Sequence, residues 1–112
     1  MRRLLAALAV ALPPAAAAQP AADALALYVR PDKGRCIACH QLPDGAGPAT
    51  RASLGPRLEG ARMRELGRER IRRTIEDPMA ANPSTVMPPY GRHRILEPAE
   101  IQRLVEFLHA LP

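Results

Sequence analysis

The segment Cys36-Ile37-Ala38-Cys39-His40 constrains this chain more than any other feature. Its cysteines are the only 2 in 112 residues, so whatever thiol chemistry the chain has is concentrated here. Two thiols separated by two residues and followed at once by an imidazole form the C-x-x-C-H pattern of covalent haem attachment. Both thiols of one turn can add to the two vinyl groups of a single haem, and the next residue then lies under the iron as a ligand. Other uses of the pair fit less well. A thioredoxin-type redox pair needs a strand before the motif, and no run rich in Val, Ile or Thr precedes Cys36. A structural zinc site needs four protein ligands, and the sequence has no second C-x-x-C and no H-x-x-x-H. A disulfide across two residues is strained and leaves His40 unexplained. The pattern therefore predicts one covalent haem c, attached at Cys36 and Cys39 with His40 as proximal ligand.

The rest of the composition agrees with a chain built around such a group. At 112 residues, 47% hydrophobic and 24% charged, it is sized for one domain. Aromatic residues make up only 3%, namely Tyr28, Tyr90 and Phe107, so a small core here lacks the rings that usually fill it. A cofactor would supply the missing apolar volume. The 13 prolines and 7 glycines cut the chain into short pieces, which predicts an all-α domain of three to four short helices around one haem. Ala21 to Arg30 reads as the first helix, stopped by Pro31, and Phe107 could meet its small residues Ala22, Ala24 and Ala26. Gln41 to Gly67 reads as a long loop, part of which a partner could order. Met63 falls in an arginine-rich surface stretch there. Arg68 to Asp77 reads as a helix with Ile71 and Ile75 on one face, ended by Pro78. The final helix starts at Pro98 and repeats Ile101, Leu104, Val105, Leu108 and Leu111 at helical spacing. Glu97 stands where Ser or Thr would cap it, so its first turn is expected to fray.

Residues 1–18 read as a secretory signal peptide: Arg2 and Arg3, an apolar run from Leu4 to Leu12, two prolines, then Ala15 to Ala18. Cleavage before Gln19 would leave 19–112 as a soluble, periplasmic haem domain with no membrane insertion. Losing Arg2 and Arg3 lowers the formal charge from +5 to +3. Eight arginines lie between Arg51 and Arg73. Export and the lack of interleaved aromatics argue against nucleic acid, which leaves a solvated face or a rim for an acidic partner.

For the distal iron position, the thioethers are Met63, Met79 and Met87 and the remaining imidazoles are His93 and His109. Met87 sits in Asn82-Pro83-Ser84-Thr85-Val86-Met87-Pro88-Pro89-Tyr90, where prolines fix an extended backbone on both sides. That loop can hold a soft ligand against iron, and Met87 is the favoured residue. His93, between Arg92 and Arg94, is the alternative.

Together, the amino-terminal helix, C-x-x-C-H, Gly55-Pro56-Arg57-Leu58-Glu59-Gly60, the proline-flanked Met87 and the final amphipathic helix resemble a class I c-type cytochrome. More narrowly, Gly34 to His40, Leu54 to Gly60, Ile75-Glu76-Asp77-Pro78 and Asn82 to Pro88 resemble the SoxX family, monohaem subunits of the SoxAX cytochromes of thiosulfate oxidation. The resemblance implies Cys36 and Cys39 as thioether sites and His40 and Met87 as iron ligands. It also implies that the Pro56 carbonyl accepts the ring hydrogen of His40. It further implies a SoxA-like cytochrome partner in an L-cysteine S-thiosulfotransferase, of which this chain would be the electron-accepting part and not a complete enzyme. A soluble cytochrome c would take the electrons onward. A free-standing monohaem carrier is the alternative.

Overall fold

A computed structural model describes residues 11–12 and 20–112. The leader expected over 1–18 lies, but for Ala11 and Leu12, outside the described residues. Four α-helices appear among them and no strand: α1 (Pro20–Val29), α2 (Gly60–Leu66), α3 (Arg68–Glu76) and α4 (Pro98–His109). Short 3-10 turns occupy Cys36–Ala38 and Pro78–Ala80. None of the described helices is long and apolar enough to cross a membrane.

The α4 helix forms the floor of the domain. Its stripe Ile101, Leu104, Val105 and Leu108 is buried, with Leu111 just beyond, and each such side chain contributes roughly 1.5–3 kcal/mol by leaving water. Pro98 takes the first helical position, as expected. The first turn does not depend on a hydroxyl cap. The Glu100 carboxylate accepts the Glu97 backbone N–H at 2.8 Å, the glutamate half of a capping box, so the fraying expected from Glu97 is offset one turn later. Against this floor α1 packs most extensively through Ala24, Leu27 and Tyr28, and α3 packs through Ile71 and Ile75. Phe107 meets the Tyr28 ring, with centroids 6.4 Å apart, a partner not expected for it beside Ala22, Ala24 and Ala26. Of those three only Ala24 is buried.

The expected loop from Gln41 to Gly67 gives way to a helix at Gly60. Two physical details hid α2 from the sequence. A glycine opens it, because a Cβ at Gly60 would collide with the backbone carbonyls of Leu111 and Pro112. Another closes it, Gly67 at φ 77°, where α3 begins at once. Met63, placed by sequence in a surface stretch, is 5% exposed and belongs to the core. What remains as loop is held by its own bonds: Gln41 Nε2 donates to Ala52 O at 2.7 Å, and Leu58 N donates to Gln41 O at 2.9 Å.

Most of the arginine-rich stretch is neutralised within the chain. Arg57, Arg62, Arg68, Arg72 and Arg73 each pair with a carboxylate, and Arg64 donates to Leu111 O. These pairs are exposed or half-exposed and individually worth little. A more sheltered one joins Lys33, beside the haem motif, to Glu100 of α4 at 2.9 Å, with side chains 25% and 16% exposed. Burial alone would raise the Glu100 carboxyl, but the Glu97 N–H and the Lys33 ammonium outweigh it and hold it below its ordinary value. A depressed carboxyl stabilises the fold fully above the ordinary carboxylate range and loses that contribution as pH falls through the folded value. Glu100→Gln is therefore expected to cost about 1 kcal/mol near neutral pH. In thermal denaturation across pH, wild type and variant should converge in acid.

Candidate haem site

The 3-10 turn Cys36–Ala38 follows α1 closely, and Gly34 permits the approach: a Cβ there would meet Cys36 Sγ at 2.8 Å and Leu27 O at 3.2 Å. Arg35 caps the turn in the left-handed region at φ 44°. His40 N donates to Cys36 O at 2.8 Å, which brings both thiols and the imidazole out of one tight turn.

Three further bonds fix the segment. Gly55 N donates to Cys39 O at 2.9 Å, Tyr28 OH donates to His40 O at 2.8 Å, and His40 Nδ1 lies 2.6 Å from Pro56 O. A carbonyl oxygen can only accept, so Nδ1 carries the proton and Nε2 keeps its lone pair free for a metal. Gly55 lies behind the ring. A Cβ at this position would fall 2.7 Å from Nδ1 and 2.8 Å from Nε2, closer still to Cε1.

These residues form one wall of a cavity of about 310 Å³, within the ~300–1,000 Å³ range of cofactor clefts. Ile71, Ile75, Leu96, Leu104 and Leu108 form its back, and Thr85 to Pro88 with Tyr90 form the opposite loop. No lining side chain is an acid, a lysine or an arginine. Tyr90 hangs in this cavity by backbone bonds to Ile75 and Leu96, and burial, with smaller effects from the two cysteines, pushes its phenol up to about 12. Burial likewise pushes Cys36, as a free thiol, up to about 11. A redox-active pair needs a lowered thiol, so this environment opposes the thioredoxin-type reading.

All five residues singled out from the sequence, Cys36, Cys39, His40, Pro56 and Met87, line the cavity. Of the other distal candidates only Met63 joins them. Met79 is half-buried in the turn after α3, His93 is exposed, and His109 sits on α4, all away from the cavity. Sequence reasoning missed Tyr28 and Gly55. Tyr28 carried no signal beyond its place one turn before Pro31, whereas Gly55, directly before Pro56, could have been read as a close approach.

Residues 19–108 match the family described as cytochrome c oxidase, cbb3-type, subunit III. The chain belongs to this family. It is a monohaem c-type cytochrome with a class I cytochrome c-like fold, its cofactor a covalent haem c and its activity haem-based electron transfer. No curated protein matches the chain. The residues fit the group on structural grounds as well: paired thiols, an imidazole whose Nδ1 is taken by a carbonyl, an apolar-lined cavity and a glycine where a side chain would displace the ring.

Gly55→Ala tests this cradle. Its backbone does not need glycine, so the change acts through the ring contact alone. We expect a loss of roughly 1–3 kcal/mol and less haem per chain, read by thermal denaturation and the Soret-to-peptide absorbance ratio. Gly45→Ala, at φ 82° with nothing within 4 Å, is expected to cost about 1–2 kcal/mol and leave that ratio unchanged.

Proposed function

We propose that this chain is the electron-accepting haem subunit of a periplasmic SoxAX-type L-cysteine S-thiosulfotransferase, working beside a SoxA-like cytochrome. One observation carries the reading. The blocks Leu54 to Gly60 and Asn82 to Pro88, which resemble SoxX, both line one cavity, the first through Leu54, Gly55, Pro56 and Leu58 and the second through Thr85 to Pro88. That two blocks resembling one family line the same cofactor cavity supports a common role for them at the haem.

Each residue has a separate task in this reading. Cys36 and Cys39 hold the group through thioethers, and His40 offers Nε2 as proximal ligand while Pro56 fixes its ring. Met87 offers its sulfur as distal ligand from a loop held by Met87 N donating to Thr85 Oγ1 at 3.2 Å. A thioether favours ferrous iron relative to a second imidazole, which suits a chain that accepts electrons. The haem itself supplies a reversible one-electron change at iron. Leu54 and Val86 exclude water where the partner's surface meets the cavity. A soluble cytochrome c would then take the electron.

A specific observation favours the second reading, a free-standing periplasmic carrier: the loop before α2 is ordered by its own bonds, and most nearby arginines are paired internally. Sedimentation separates the two. With a SoxA-like cytochrome at micromolar concentration, we expect a heterodimer that persists at moderate salt and transfers thiosulfate sulfur to a cysteine thiol, while this chain alone does not. A monomer under those conditions would leave the free carrier.

The distal ligand is tested separately. Met87→Ala is expected to abolish the weak red-edge absorption of sulfur-ligated ferric haem and to lower the midpoint potential. Met63→Ala, at a buried position of α2, is expected to cost about 2–5 kcal/mol of stability and leave that absorption in place. The reverse result would transfer the role to Met63.

A further inference from the structure

We propose that Tyr28 is a positioning residue for the proximal ligand, acting through the peptide of His40. The inference rests on His40 as the iron ligand and extends that assignment to a residue 12 positions earlier in the chain, on α1.

Three consecutive carbonyls, those of Cys39, His40 and Gln41, are each hydrogen-bonded. Cys39 O accepts Gly55 N at 2.9 Å and Gln41 O accepts Leu58 N at 2.9 Å, so both outer carbonyls are tied to the loop that carries Pro56. The middle carbonyl, His40 O, bonds on the α1 side instead. There it meets Tyr28 OH at 2.8 Å. The peptide units on both sides of His40 are therefore held from two directions, by the Pro56 loop and by α1. His40 N to Cys36 O at 2.8 Å closes the remaining freedom.

Tyr28 is suited to hold rather than to yield. It is 1% exposed, in the last turn of α1, and its ring packs on Phe107 of α4 at 6.4 Å with the planes inclined by 55°. The crossing of the terminal helices thus fixes the phenol, and the phenol fixes the His40 peptide. Through that peptide it keeps Nδ1 within 2.6 Å of Pro56 O. A short Nδ1–H to carbonyl bond makes the imidazole a more basic ligand, which stabilises ferric iron. Releasing the His40 carbonyl should loosen the Pro56 bond, weaken that donation and raise the midpoint potential.

The experiment uses the full holo-protein and compares Tyr28→Phe with Phe107→Leu. We measure three quantities: hydrogen exchange of the His40 ring N–H by NMR, the midpoint potential and the melting temperature. Tyr28→Phe is expected to speed ring N–H exchange at least tenfold and to raise the potential. Phe107→Leu, which loosens the same helix crossing but keeps the hydroxyl, is expected to lower the melting temperature and to move the other two in the same direction by much less. Unchanged exchange and potential in Tyr28→Phe, or equal shifts in both variants, would overturn the proposal. If Tyr28→Phe does not accumulate with haem, 3-fluorotyrosine incorporated in a Tyr90→Phe background places a stronger donor at Tyr28 alone. The potential must then fall, and a rise or no change overturns the proposal. A wild-type ferric protein in which the His40 ring carries no paramagnetic shift would instead overturn His40 as the ligand, which keeps the two failures apart.

Discussion

A carbonyl oxygen can only accept, so the 2.6 Å contact of Pro56 O with His40 Nδ1 has one possible polarity, and in the neutral ring it leaves Nε2 to act as an acceptor or a ligand. Much of the surrounding structure serves to keep this contact in place. Gly55 leaves room for the ring, the bonds from Gly55 N and Leu58 N hold the loop against Cys39 and Gln41, and Arg57 ties the same loop to Asp44 and Glu59. The helices enter the same arrangement from the other side. Tyr28 in α1 reaches the His40 carbonyl, and α4 supports Tyr28 through Phe107. A contact between two loop residues thus depends on how the terminal helices cross.

The parts legible in the sequence were those governed by local rules. C-x-x-C-H specifies its chemistry by spacing alone, and α4 announces itself by Pro98 and a stripe of aliphatics at helical period. The end of α3 follows from Pro78, which disfavours helical geometry in Asp77. What the sequence hid was set by contacts between distant segments. Gly60 looks like a breaker, yet it begins α2 because the carboxy-terminal carbonyls of Leu111 and Pro112 pass too close for a side chain. Matching Phe107 to small residues by size did not anticipate its packing with Tyr28, a ring that its own hydrogen bond anchors. Met63 was hidden by its neighbours, since charged residues on one side of a helix say nothing about a single apolar residue on the other.

The charge pattern carries a related lesson about partners. A run of arginines invites the idea of an acidic partner, but α3 interleaves its arginines with glutamates at three- and four-residue spacing, and Arg72 alone reaches both Glu69 and Glu76. Arg68 goes further and pairs with Glu106 of α4 at 3.0 Å, so part of the charge binds the chain to itself. Arg51 and Arg70 have no carboxylate partner among the described residues. Contact at the cavity mouth would therefore draw on Leu54 and Val86 more than on bulk charge, and moderate salt would disturb it less than the arginine count suggests.

An aromatic-poor chain can still build a cofactor site because its three rings are not distributed at random. Tyr28 and Tyr90 both line the cavity, and Phe107 packs on Tyr28, so each aromatic residue acts at or one step behind the haem site. Aliphatic side chains from α3 and α4 supply the rest of the lining, and no acid, lysine or arginine joins them. That exclusion has an electrostatic consequence. An apolar surround penalises added charge, so it disfavours the more positive ferric state. The thioether of Met87, acting as distal ligand, would push the same way. The imidazole held by Pro56, acting as the proximal ligand, would push against both by donating to ferric iron. The resulting potential is a balance in which Tyr28 holds the opposing term, and a cytochrome of this fold can tune its potential through α1 without altering a single ligand.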